Sequence, residues 1–191
     1  MSSFFDNFLQ SDNVSEEVKV KILKNIVEKK VKKGAILQHK GDLKLKAFYV
    51  KEGLLRTYTI DEKGKEHIFM FAPEDWIASD IESNTENTPA VLFIDALEDS
   101  EIEVINEDML RAIQDIPQDM MMHEMNRLMR RIAVLQRRVI MLMSATAQER
   151  YEAFLKKYPQ LPQRLPQKMI ASYLGITPEA LSKIRGEIAR S

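Results

Sequence analysis

The 191 residues contain no cysteine, which excludes disulfides, thiolate-ligated iron–sulfur clusters and a cysteine nucleophile. A sulfur-based redox response would have to run through the 11 methionines. No apolar run reaches membrane-spanning length, and Met1-Ser2-Ser3-Phe4-Phe5-Asp6 lacks the basic-then-apolar layout of a signal peptide. A cytoplasmic location with no membrane partner is the expectation. Only three histidines occur, His39, His67 and His123, and none sits in a His-x-His pair. A metal-dependent jelly-roll enzyme needs such a pair with a glutamate and a further histidine, so no catalytic residue, metal site or cofactor is expected. Nothing around the histidines separates a haem ligand from a surface position.

Positive charge is scarce in one long stretch. Residues 66–110 hold no Lys or Arg, against 13 Asp and Glu. The formal net charge of −1 hides this asymmetry: residues 1–110 carry 14 Lys plus Arg and 22 Asp plus Glu (net −8), and residues 111–191 carry 14 and 7 (net +7). A basic half gains affinity for phosphate by counterion release, and an acidic half is repelled from it. Arginine is also a good helix former, which alone would enrich a helical half in it.

Within the basic half, residues 166–185 read as a helix-turn-helix. Pro166 suits a first helical turn, after which Ile170, Ala171 and Leu174 fall on one face. Gly175 takes the turn, where a left-handed backbone is needed without a Cβ clash. Thr177 as N-cap, Pro178 at the first position and Glu179 near the positive helix end restart the chain, with Leu181, Ile184 and Ile188 turned inward. Glu179, Ser182, Lys183 and Arg185 remain outward, the side-chain types that read base edges or adjoining phosphates in a major groove. Gln167, Lys168, Ser172, Thr177 and Pro178 would position the pair on the DNA backbone. The same spacing also fits an ordinary αα-hairpin.

Upstream the period is different. A short amphipathic helix is expected over residues 15–27, capped by Ser15, with Val18, Ile22, Leu23 and Ile26 on one face. From about Glu28 to Asn106, β-like runs (35–37, 47–50, 54–60, 67–71 and 91–96) alternate with turn signals such as Lys40-Gly41-Asp42, Glu52-Gly53 and Asp61-Glu62-Lys63-Gly64. That regularity predicts a small sandwich, jelly roll or barrel. Ser83–Pro89, the longest polar stretch inside it, reads as a loop. A helix near Glu107–Gln114 follows, and Pro117 interrupts it.

Residues 118–143 then carry Met121, Met125, Leu128, Ile132, Leu135, Val139 and Leu142 at steps of four and three, flanked by Arg127, Arg130, Arg131, Arg137 and Arg138. This is a coiled-coil seam three heptads long and the expected dimerisation helix, although an amphipathic helix can also lay such a stripe on its own domain. Met120, Met121, Met122, Met125 and Met129 crowd its start, as a dimer core and domain interface would use them. An apolar effector pocket between roll and helix would draw on Trp76, Ala78, Ser79, Ala90 and Met125.

The order of parts, an α+β chain with an N-terminal β-roll, a long dimerisation helix and a C-terminal helix-turn-helix, resembles the catabolite-activator (Crp/Fnr) family of bacterial transcription regulators over nearly the whole chain. The local carriers are Lys33-Gly34-Ala35-Ile36-Leu37 with Lys40-Gly41-Asp42, Tyr49 to Arg56, Gly64-Lys65-Glu66, Gln148-Glu149-Arg150-Tyr151 and Ile170 to Thr177. The resemblance implies a cyclic-nucleotide-binding-like β-roll over residues 1–117, a dimerisation helix over 118–143 and a DNA-binding domain over 144–191. It also implies a homodimer on a partly palindromic operator, contact with RNA polymerase, and a small-molecule effector held in the roll.

Two departures qualify it. The family's cyclic-nucleotide branch uses a Gly-Glu pair and a phosphate-clamping arginine. Ala78-Ser79 stand where Gly-Glu would fall, and no arginine occurs from Thr57 to Leu110. A response to cyclic AMP is therefore not expected. The sequence also stops one helix after the turn, without the family's wing strands, so modest DNA affinity and a steep salt dependence resting on Arg164, Lys168, Lys183 and Arg185 are expected. The alternative to a regulator is an interaction module whose roll binds a protein or small molecule and whose helix-turn-helix is vestigial.

Overall fold

A computed structural model of the chain describes residues 3–10, 12, 14–43, 46–106 and 118–190. The expected helix at Glu107–Gln114 and its interruption at Pro117 lie outside the described residues. The chain forms two compact units, Met1–His123 and Glu124–Ser191.

The first unit opens with two helices, α1 (Asp6–Leu9) and α2 (Glu16–Asn25). Ser15 caps α2 as expected, its hydroxyl accepting from the Val18 N–H at 3.4 Å. Among the described residues eight strands follow: β1 (Val27–Val31), β2 (Ile36–Gln38), β3 (Ala47–Glu52), β4 (Leu55–Ile60), β5 (Glu66–Ala72), β6 (Ile77–Ser79), β7 (Phe93–Ala96) and β8 (Ser100–Ile105). They build two four-stranded antiparallel sheets, ordered β1-β8-β3-β6 and β2-β7-β4-β5. Alternation aims Phe48 and Val50 of β3, Leu55 of β4, Ala78 of β6, Ile94 of β7, and Ile102 and Val104 of β8 into one core between the sheets. Tyr49 and Ile105, on the opposite face of the first sheet, pack with Phe5, Val14, Val18 and Ile22 of the N-terminal segment. That segment is tied to the sheet by the Phe4 N–H, which donates to the buried Glu103 carboxylate at 3.0 Å.

Ser83–Pro89 differs from the expected loop. Its first half lies in a short helix, α3 (Ile81–Glu86), ended by Asn87 in the left-handed region at φ 51°. The organiser is Asp80, a buried carboxylate accepting from the N–H groups of Ser83 (3.3 Å), Val91 (2.7 Å) and Leu92 (2.9 Å). One side chain thus starts the helix and pins the chain that returns from it.

Helix α4 (Gln118–Ser144) starts where expected and runs one residue further. The second unit continues with α5 (Ala147–Lys157), the short α6 (Leu161–Arg164), α7 (Gln167–Leu174) and α8 (Pro178–Ile188). A reciprocal capping box starts α5: the Glu149 N–H donates to the Thr146 hydroxyl at 3.2 Å, and the Thr146 N–H donates to the Glu149 carboxylate at 2.7 Å. The proline-rich connector before the helix-turn-helix is anchored by the buried Leu161 and Leu165. Tyr151, Phe154, Tyr158, Ile170, Ala171, Leu174, Leu181 and Ile184 make the apolar interior of this unit.

Candidate nucleic-acid interface

Helices α7 and α8 are joined by the turn at Gly175, whose φ of 67° and ψ of 36° place it in the left-handed region. The Gly175 N–H donates to Ser172 O at 3.1 Å and the Ile176 N–H to Ala171 O at 3.0 Å, the reciprocal pattern that closes a helix on a left-handed residue. A Cβ at Gly175 would meet the Leu142 side chain of α4 at 3.3 Å. The position therefore needs glycine for its backbone and has little room for more.

The Thr177 hydroxyl accepts from the Ala180 N–H at 3.2 Å, and Pro178 opens α8. Glu179 is held below the ordinary carboxylate range by its own backbone N–H and then by the Thr177 hydroxyl. Its charge therefore complements the helix start, where expectation placed a base-reading acceptor. Leu181 and Ile184 are buried as expected, and Ile188 is half-buried. Gln167, Lys168, Thr177, Pro178, Glu179, Ser182 and Lys183 are exposed, while Ser172 and Arg185 are half-buried. Lys183 Nζ lies 3.9 Å from the Glu187 carboxylate one turn on, a loose pair between exposed groups that leaves the cation available.

The cationic surroundings are one-sided. From Glu124 to Ser191 the sequence has 13 Lys and Arg against 5 Asp and Glu, net +8; from Met1 to His123 it has 15 against 24, net −9. Arg56, the one arginine between residues 1 and 110, is bound inside the first unit. It donates to Asp95 through Nε (2.8 Å) and Nη2 (2.9 Å) and to Glu66 through Nη1 (2.6 Å), and it lies 4.0 Å over the Tyr58 ring. Burial pulls its pKa down, but the hydrogen bonds to the two carboxylates outweigh this and hold it above its ordinary value. Arg56 is already neutralised twice over.

The expected dimer stripe lies open on α4. Met121, Met125, Leu128, Ile132, Val139 and Leu142 are 40–55% exposed, and Leu135 is half-buried. Met122, Met129, Ile140 and Met143 are exposed as well, so the uncovered apolar face is wider than one seam. The residues expected around an effector are divided: Trp76, Ala78, Ser79 and Ala90 belong to the first unit and Met125 to the second. Ala78 is fully buried in the sheet core, Trp76 packs against that core, and Ala90 is buried.

Sequence reasoning missed one link. Arg138, seen only as a flank of the stripe, donates from Nη2 to Tyr173 O at 3.0 Å and sits 4.3 Å over the Tyr173 ring. A guanidinium from α4 thereby satisfies a carbonyl at the negative end of α7. Burial lowers its pKa. The available signal was aromatic: Phe154 on α5 and Tyr158 at its C-cap are four residues apart, and with Tyr173 they form a cluster with centroids 5.6–6.3 Å apart.

The family model for the cyclic nucleotide-binding domain matches residues 28–115. The regulatory protein HlyX of Actinobacillus pleuropneumoniae is 31% identical over 185 residues, covering 88% of this chain and 75% of that protein. The fumarate and nitrate reduction regulatory protein of Yersinia pestis is 30% identical over 184 residues, covering 88% and 72%. Among solved structures, FixK2 from Bradyrhizobium japonicum superposes with a TM-score of 0.72 at 17% identity, covering 86% of this chain and 85% of that one. A CRP/FNR-family transcriptional regulator from Thermus thermophilus gives 0.68 at 20% identity, with 86% of each chain covered. The structures agree in fold, and with the sequence relatives they place an eight-stranded sandwich, a long helix and a helix-turn-helix in one lineage: this chain belongs to the CRP/FNR family of transcriptional regulators.

Proposed function

We propose that the protein is a sequence-specific DNA-binding transcription regulator, working as a homodimer on a partly palindromic operator and without catalytic activity. The observation that carries this reading is the helix pair α7–α8, where turn, cap and buried face fall in register and Ser182 and Lys183 stay exposed on a unit of net charge +8. Lys183 and Arg185 contact guanine edges or adjoining phosphates, and Gln167, Lys168, Ser172 and Thr177 fix the pair on the backbone. The uncovered stripe of α4 supports dimerisation, because two-fold symmetry is what sets paired recognition helices about 34 Å apart. At 27 residues, α4 is about 40 Å long, ample for three heptads against a second copy. Contact with RNA polymerase belongs to the same reading.

The β-roll in this reading does not respond to a cyclic nucleotide. A cyclic phosphate needs an uncommitted cation, whereas Arg56 is bound by Asp95 and Glu66 and residues 66–110 supply no Lys or Arg. Any small-molecule effector of the roll is then not a cyclic nucleotide.

Fluorescence anisotropy of labelled DNA from upstream of the protein's own gene, over a salt series, tests the proposal. Specific binding that weakens steeply with salt and disappears in the double variant Lys183→Glu, Arg185→Glu is expected. No selection of any sequence from a random DNA pool by the folded protein would replace this reading with an interaction module.

A further inference from the structure

The second unit holds a half-open cavity of about 470 Å³ between α4, α5 and α7, within the size range of small-molecule sites. Its walls are of two kinds. Val134, Met141, Leu142, Phe154 and Leu174 give it an apolar floor, to which Tyr158 and Tyr173 add ring faces. Arg130, Arg137, Arg138, Arg150 and Lys157 also line it, and no aspartate or glutamate does.

Five cations line one apolar space, Arg138 and Arg150 half-buried in its wall and Arg130, Arg137 and Lys157 at exposed positions, and like charges so placed repel one another. Lys157 registers it: burial first, and then the Arg137 charge, push its pKa down. Among the described residues no carboxylate pairs with Arg130, Arg137 or Arg150, and the buried Arg150 Nε has no hydrogen-bond acceptor. The contrast with Arg56, held by two carboxylates, is direct. A DNA backbone does not match such a space, because its phosphates would meet the cations while the aromatic floor stayed unused. A bare inorganic anion leaves the same floor empty.

We infer that this cavity is a binding site for an amphipathic organic anion, with its apolar body against Phe154, Met141 and Val134 and its anionic end held by the guanidinium groups, Arg150 among them. The site is separate from the DNA-reading face and shares Leu142 with the exposed stripe of α4. Its walls come from the long helix and the first helix of the helix-turn-helix, so an occupant touches both.

The test uses the full chain and 8-anilinonaphthalene-1-sulfonate, an aromatic anion that fluoresces in apolar surroundings. Saturable enhancement at one probe per chain is expected, displaced by dodecanoate and at least tenfold less well by dodecanol, which has the same chain length without the charge. Ala153→Trp fills the space from an exposed position and should abolish the enhancement. Arg150→Gln removes the charge without filling the space and should weaken probe binding about tenfold. Met143→Gln changes an exposed methionine outside the cavity and should leave it intact. Circular dichroism melts identify folded variants, and Ala133→Met replaces Ala153→Trp if the latter does not fold. Unchanged binding in the filled and charge variants, equal displacement by dodecanol, or an Arg150→Gln defect confined to DNA binding would each overturn the inference.

Discussion

The two units handle charge in opposite ways. In the sheet unit cations meet carboxylates from other parts of the sheet: Lys51 binds Glu28, Lys32 binds Asp99, Lys30 pairs with Glu101, and Arg56 is shared by Asp95 and Glu66. In the helical unit the cations exceed the acids by eight, and they lie against ring faces, a helix carbonyl end and open surface. Two of its five acids lie at helix starts, Glu149 with Thr146 and Glu179 at the start of α8. A sheet unit of net charge −9 whose cations are paired repels a polyanion, and a helical unit with an excess of cations attracts one from a distance.

The strongest way to break that contrast is to unbalance the sheet. Arg56→Met leaves Asp95 buried without its cation, and the unit should lose about 3 to 5 kcal/mol, read as a drop in the urea midpoint followed by Trp76 fluorescence. Adding Asp95→Leu should recover most of the loss, because a buried ion pair and an apolar pair of similar volume are close in stability. DNA affinity of the folded fraction should not move. A smaller effect in the other direction is expected for Arg185→Ala, about 1 to 3 kcal/mol of specific DNA binding with the melting temperature unchanged. If Arg185→Ala melts the fold, or Arg56→Met abolishes DNA binding by folded protein, the division of labour between the units is wrong.

Gly175→Ala sharpens it further. A left-handed alanine costs about 1 to 2 kcal/mol, and its methyl would press on Leu142, so the helical unit should lose that stability and the sheet unit none. Helical circular dichroism against Trp76 fluorescence separates the two.

The smallest effect is in acid. Asp61, Asp99 and Glu101 of the sheet unit are held below their ordinary pKa by hydrogen bonds from His67, Lys32 and Lys30 respectively, and Glu149 of the helical unit by the Thr146 backbone and hydroxyl. A depressed carboxylate contributes stability that is complete above its ordinary value and is lost as pH falls through the folded-state value. Both units should therefore weaken below about pH 4.5, the ordinary glutamate value. Salt should blunt the acid response of the sheet unit, which depends on side-chain charge pairs, more than that of the cap, which uses backbone donors.

The legibility of the sequence divides along the same line. In the helix-turn-helix, Pro166, Gly175, Thr177 and Pro178 act within a few residues of themselves, so the backbone consequence of each could be read locally. Strand β1, Val-Glu-Lys-Lys-Val, did not stand out because it is a charged edge strand, its register against β8 settled by partners 69 to 77 residues away. Helix α3 was hidden by its polar composition, since its organiser Asp80 also gathers the N–H groups of Val91 and Leu92. Arg56 joins partners 10 and 39 positions off, and the cationic cavity gathers residues from three helices; no local pattern encodes either. The DNA-reading side chains were named by residue type and spacing. Of these, Glu179 lies exposed at the helix start and Arg185 is half-buried.

The bond from Arg138 to the end of α7 acts mechanically as a gear tooth. It meshes the long helix with the first helix of the DNA-reading pair through one guanidinium and one carbonyl, with a ring as its bearing surface. A twist of roughly 10° about the long helix would carry a group roughly 10 Å from its axis through roughly 2 Å, enough to break a hydrogen bond unless the hairpin turned with it. A rotation of that helix would therefore either break this bond or carry the end of α7 with it.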